Sequence, residues 1–144
     1  MSLLNIFDIA GSGMSAQSLR LNTTSSNLAN AENVSSSAAQ TYRARQPVFA
    51  AVLNTLNSGA NHGLGQDAGR GVQVLGIVES KAPIQSRYEP NNPQADTNGY
   101  IYLPNVNMVE EMANMISASR SYQSNAEVIN TSKQLMLRAL SLGQ

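Results

Sequence analysis

From Asn107 to Leu142 the chain contains neither Pro nor Gly, and its apolar residues recur in alternating steps of four and three. The stripe runs Met108, Met112, Met115, Ser119, Tyr122, Ala126, Ile129, Lys133, Met136 and Leu140, and only Ser119 and Lys133 break it. Alternating four and three is a period of 3.5, the seam of a helix packed lengthwise along another helix. The end signals agree. Pro104 precedes the segment, Asn107 is placed to cap it, Glu110 stands where it can reach back to the cap, and Gly143 follows. Glu110 and Glu111 sit near the positive end of the helix dipole, with Lys133 and Arg138 towards the negative end. Such a helix would be roughly 50 Å long, about three times the length of an ordinary globular helix.

Leu3 to Ala29 repeats the pattern more thinly, through Leu3, Phe7, Ala10, Met14, Gln17, Leu21, Thr24 and Leu28. Gly11, Gly13 and many Ser, Thr and Asn residues make it a poor helix by propensity. A glycine costs about 1 kcal/mol against alanine in a helix interior, so this segment is expected to become helical only when its stripe finds a partner. The partner offered by the sequence is the C-terminal stripe, which leaves everything between them as an insertion.

That middle is read as β-rich. Ser35, Ser36 and Ser37 mark a joint; Thr41 to Val52 reads as extended or mixed, with Tyr42, Val48 and Phe49 as packing residues. Residues 54–71 are dense in Gly and Asn and read as a loop. Gly71 to Ser80 reads as a strand with an irregularity at Gly76, Tyr88 to Pro93 as a turn, and Asn98-Gly99 as a hairpin signal before Tyr100 to Leu103.

Composition narrows the class. Lys plus Arg equals Asp plus Glu at nine each, so no basic face is available to neutralise a phosphate backbone, and nucleic acid is not an expected partner. With no cysteine, a disulfide framework and a thiolate metal site are both excluded. The first basic residue is Arg20, so the apolar run Leu3 to Ala10 lacks the charged start of a cleaved secretory signal. No stretch approaches the ~20 apolar residues of a membrane span, and direct membrane insertion is not expected. Only 12% of residues are charged, against the roughly 25–35% charged residues of an ordinary solvated surface. A surface so poor in charge points towards coverage by neighbouring subunits.

Candidate chemistry is sparse. The single histidine, His62, has no carboxylate close in sequence. Gly63 to Ala68 matches a dinucleotide fingerprint loosely but neither follows a strand nor opens a helix. Asp96, Asn98 and Gly99 have the look of a calcium loop, yet Gln94 and Asn105 occupy its first and last ligand positions. Met108, Met112 and Met115 stand at helical spacing, which fits a packing stripe better than a soft-metal site. Ser12 lacks the glycine two residues earlier that a nucleophile elbow requires. No catalytic, cofactor or metal residue is expected, and the chain is not expected to be an enzyme. The residues expected to matter are the seam: Leu3, Phe7, Ala10, Met14, Leu21 and Leu28 at one end, Met108, Met112, Met115, Tyr122, Ala126, Ile129, Met136 and Leu140 at the other.

Specific residues also carry a resemblance. Ser12-Gly13-Met14, Ala16-Gln17, Arg20-Leu21-Asn22 and Ser26 to Ala31 resemble the N-terminal signature of the flagellar rod and hook axial family. Leu3 to Ser12 and Tyr42 to Gln46 look more narrowly like a proximal rod member. At the other end Gly99-Tyr100, Pro104-Asn105-Val106, Glu110-Glu111-Met112, Ser117 to Gln123 and Leu140 to Gln144 are similar to the same family. The serine run after Val34 and the length of residues 54–71 depart from its usual pattern.

The resemblance implies an α+β fold. Residues 1–32 and 105–144 would form an antiparallel coiled coil, and residues 33–104 a small β-rich part further out. It implies a structural subunit of the periplasm-spanning flagellar rod, exported through the flagellar type III apparatus without signal cleavage. Its partners would be copies of itself and other rod proteins, in a helical assembly around an export channel. The rival reading from the residues is a soluble helical adaptor or chaperone-like module, which would form an ordered monomer or closed oligomer.

Overall fold

A computed structural model describes residues 3–52 and 71–142. His62, the Gly63–Ala68 match and nearly all of the 54–71 loop lie outside the described residues, as do Gly143 and the side chain of Leu3. Two helices enclose four strands in the order α1 (Leu3–Ala29), β1 (Arg45–Val52), β2 (Gly71–Glu79), β3 (Gln85–Tyr88), β4 (Tyr100–Leu103) and α2 (Met108–Leu142). The strands form two separate antiparallel pairs, β1 with β2 and β3 with β4.

α2 begins where its cap predicts. Asn107 Oδ1 accepts the backbone N–H groups of Val109 at 3.1 Å and Glu110 at 3.4 Å, satisfying donors that the first turn leaves open. Glu110 is exposed, whereas Glu111 is buried. The charge expected at the helix start is therefore turned into the protein.

α1 is central. Among the described elements α2 packs on α1 and on no strand, while β1 and β2 pack on α1. Cross-helix neighbours run in opposite order: a Cβ on Gly13 would meet Asn125, and Arg20 donates to Asn114 at 2.8 Å. Further along α1, Asn27 lies close enough to Glu111 to influence its protonation. The helix of poor intrinsic propensity is thus supported on two sides by its own chain.

The β1–β2 ribbon lies along α1 and is tied to it at both ends. At one end Ser12 Oγ accepts the Val72 N–H at 3.0 Å. At the other, the side chain of Asn27 pairs with the backbone of Arg45. Pairing runs from Arg45↔Glu79 to Val52↔Gly71, with Val48 opposite Gly76 and Phe49 opposite Val74. Leu75 is therefore the extra residue of a β-bulge, beside the glycine where an irregularity was expected. Phe49 and Val74 are half-buried, while Val48, Leu75 and Ile77 face outwards.

The second pair differs from the sequence reading. Asn98-Gly99 does not make a two-residue hairpin; residues 89–99 connect β3 to β4, and Asn98-Gly99 closes the end of that connection. Asp96 organises it: its Oδ1 accepts the N–H groups of Asn98 and Tyr100, both at 2.8 Å, and its carbonyl accepts the Gly99 N–H at 3.0 Å. Gly99 has φ +82°, and a Cβ there would lie 2.8 Å from the Tyr88 ring and 3.2 Å from Pro90. Gly99→Ala is accordingly expected to cost roughly 1–3 kcal/mol from backbone strain and crowding. Urea unfolding checks it, and an unchanged midpoint would contradict the turn geometry.

Candidate assembly surface

Two asparagines hold the joint between helices and strands. Asn27 is fully buried. Its Nδ2 donates to the Arg45 carbonyl at 2.8 Å, and its Oδ1 accepts the Arg45 N–H and the Tyr42 hydroxyl, each at 2.9 Å. Asn105, just before α2, does the same one residue earlier: Oδ1 accepts the Ala44 N–H at 2.8 Å, and Nδ2 donates to the Ala82 carbonyl at 2.9 Å. Ser80 N–H completes the set by donating to Ala44 O at 2.7 Å. A primary amide offers one donor face and one acceptor face, so each asparagine stands in for a length of β-strand.

Two columns of unlike character run along α2. Met115, Ile129 and Met136 are half-buried, and Tyr122 is at the edge of exposure. These belong to the expected stripe. The other column consists of Glu111, Ala118, Asn125 and Ser132, seven residues apart, of which Glu111, Ala118 and Ser132 are buried. Facing them on α1 stand Gly13, Arg20 and Asn27, also seven apart. A search for apolar residues passes over this column, whose signal is small and polar residues at heptad spacing. Ala126 is half-buried beside it, whereas Met108, Met112 and Leu140 face outwards in the single chain. On α1, Ala10 is buried and Phe7, Met14, Leu21 and Leu28 are half-buried.

The fold shifts the protonation of Glu111. Burial raises its carboxyl above the ordinary 4.5, the Asn27 hydrogen bond lowers it, Glu110 raises it further and Arg20 lowers it. Its Oε2 is buried with no hydrogen-bond partner. A raised folded value means that the protonated form is favoured by folding. This contribution is complete below about pH 4.5 and is lost as pH rises through the folded value. Glu111→Gln is therefore expected to raise stability at pH 7 and to flatten its decline above pH 4.5. Denaturant midpoints measured across that range check both, and a destabilised, still pH-dependent Gln variant would contradict the sign.

Nothing in this arrangement amounts to a reaction centre. An open recess of about 500 Å³ is lined by Asn30, Asn33, Thr41, Tyr42, Arg45 and Glu79, among others. There Arg45 already pairs with Glu79 at 3.4 Å and lies over the Tyr42 ring. Among the described residues no group of three His, Cys, Asp or Glu side chains is gathered as for a metal, and no helix is long and apolar enough to cross a membrane. Large apolar side chains are instead exposed along α2 and the ribbon, the property of a surface that neighbours cover.

Known proteins share the pattern from end to end. The family model for flagella basal body rod proteins matches residues 7–32, and that for the flagellar basal body rod FlgEFG protein C-terminal region matches residues 97–142. The chain is 54% identical to the flagellar basal-body rod protein FlgC of Salmonella typhimurium and 53% to that of Escherichia coli O157:H7, in each case over 144 residues and the whole of both chains. To the FlgC of Borreliella burgdorferi it is 37% identical over 155 residues, covering all of this chain and 99% of the other. Both helices, the strands between them and the two asparagine clamps fall within those full-length matches. The chain belongs to the flagellar basal-body rod protein FlgC family.

Proposed function

We propose that this chain is a structural subunit of the flagellar basal-body rod and not an enzyme. The observation that carries this is identity over the full length to proteins named for that role. The apolar surface left exposed on α2 supports it independently, because a lone soluble chain gains nothing from it.

The finer reading is that α1 and α2 form an antiparallel coiled coil facing the interior of the rod. Residues 1–32 and 105–144 would be its two strands and residues 33–104 a β-rich part lying outside. Copies of this chain and other rod proteins assemble helically around an export channel, in a rod that spans the periplasm. Delivery is by the flagellar type III apparatus, without signal cleavage. The polar half of the seam supports this, since a pairing built on Ala118, Ser132, Asn27 and Glu111 buries little apolar area. A fully buried leucine contributes roughly 1.5–3 kcal/mol, and those side chains contribute far less. Such a weak pairing lets the termini pass through an exporter unfolded and gain their order on docking, where the cost is offset at the growing end.

Cryo-EM of isolated basal bodies tests the reading. The expected result is this chain in the rod at fixed stoichiometry, its helices inward. Basal bodies that are complete without it would refute it.

A further inference from the structure

Asn98-Gly99 is the single Asn-Gly pair of the chain, and the Asn98 side chain is exposed. Such a pair carries a reactivity of its own. The Gly99 amide nitrogen, on losing its proton, can attack Asn98 Cγ. A C–N bond forms, the side-chain nitrogen leaves as ammonia with that proton, and a cyclic succinimide results. Water then opens the ring at either carbonyl, giving aspartate or isoaspartate, with no oxidant or further reagent. Glycine after asparagine favours the attack because it has no Cβ to hinder the approach.

The fold opposes that attack. The Gly99 N–H donates to the Asp96 carbonyl at 3.0 Å, and the Gly99 carbonyl accepts the Glu89 N–H at 2.8 Å. On either side, the Asn98 and Tyr100 N–H groups donate to Asp96 Oδ1, both at 2.8 Å. Asp96 thus holds the successive N–H groups of Asn98, Gly99 and Tyr100. To close the ring, the peptide between Asn98 and Gly99 must turn its nitrogen towards Asn98 Cγ, and this breaks the bond to the Asp96 carbonyl. Gly99 cannot follow freely, because it sits at φ +82° with Tyr88 and Pro90 packed against it. The Asp96 carboxylate also lies beside the nitrogen that must carry negative charge, and a like charge nearby disfavours the ionised form.

We propose that Asn98 is a modification site shielded by the folded turn. Asp96 keeps it an asparagine in the native chain, and unfolding releases it to form the succinimide. The product records time spent unfolded. Isoaspartate lengthens the main chain between residues 98 and 99, which carries Gly99 away from Asp96 and Glu89. A chain so modified cannot rebuild the end of the β3–β4 connection. The shield belongs to the single folded chain and does not depend on the rod.

The purified full chain tests it. Held at mildly alkaline pH in buffer and in urea, it is sampled over time. The tryptic peptide that follows Arg87 is read by mass spectrometry for the mass gain of deamidation and for isoaspartate. Conversion in buffer is expected to be slower than in urea by on the order of tenfold or more, because several hydrogen bonds must open together first. Asp96→Ala is expected to recover much of that rate in buffer, whereas Asp96→Asn, which keeps the side-chain acceptor, stays closer to wild type. In urea all of them should convert alike, which separates the shield from the intrinsic chemistry of the pair. Equal wild-type rates in buffer and urea overturn the proposal. So does an Asp96→Ala chain that keeps its circular dichroism and converts as slowly as wild type. If Asp96→Ala does not fold, the wild-type comparison decides by itself: a slower rate in buffer supports the shield, and an equal rate overturns it.

Discussion

Asn27→Leu is expected to destabilise the isolated chain by on the order of 3–5 kcal/mol, the largest effect of any single change in the joint. Leucine keeps asparagine's branch point and number of heavy atoms but is bulkier and has no polar atom, so overpacking adds to the chemical loss. The Arg45 N–H, the Arg45 carbonyl and the Tyr42 hydroxyl each lose a partner within 3 Å. Glu111 loses the hydrogen bond that favours its ionised form. A buried donor or acceptor left without a partner costs about 1–3 kcal/mol, and water can reach the more exposed Arg45 side but not the fully buried amide site. Asn27→Asp should fall between wild type and leucine, since it keeps the acceptor for Arg45 N–H but loses the donor and adds charge beside Glu111. Urea unfolding of the three proteins measures the order. A leucine variant within about 1 kcal/mol of wild type would mean that the clamp contributes only an ordinary hydrogen bond.

Ile129→Asp should abolish incorporation into the rod and, with it, motility. Ile129 shares the apolar stripe of α2 with Met115, Tyr122 and Met136 and is half-buried. A carboxylate there must shed water as the helices close, at a cost of roughly 3 kcal/mol or about a hundredfold in the pairing equilibrium. Lys133, one turn on, is exposed and gives only screened compensation. Ile129→Ala separates charge from volume: it leaves a smaller gap and should retain part of the swimming halo in soft agar. A fully motile Asp variant would remove Ile129 from the seam.

Both helices could be read from the sequence because each carries a long period, to which α2 adds clear end signals, and the bulge beside Gly76 was legible from one glycine in a β-rich run. The β3 strand was not. Gln85 to Tyr88 is short, wholly exposed and polar at three successive residues before Tyr88, so nothing in its pattern separates it from the turn that follows. Asn98-Gly99 gave the right backbone, since Gly99 takes a left-handed φ, but the wrong loop length, because Asp96 and Tyr88 set the connection from outside the dipeptide. The stripe of Met115, Tyr122, Ile129 and Met136 was legible as a period; the column of Glu111, Ala118 and Ser132 was not, because no hydropathy pattern marks buried polar residues such as Glu111 and Asn27. Glu111 in particular reads as a helix-start charge until its neighbours in space are known.

The twin clamps also have a mechanical side. Asn27 grips Arg45 from the last turns of α1, and Asn105 grips Ala44 from the approach to α2. Two adjacent residues are thus anchored to both helices, at the end where one helix stops and the other starts. A push on the strands reaches both anchors at one point, with no slack residue between Ala44 and Arg45. That point is a fulcrum, and the strands are its lever arm.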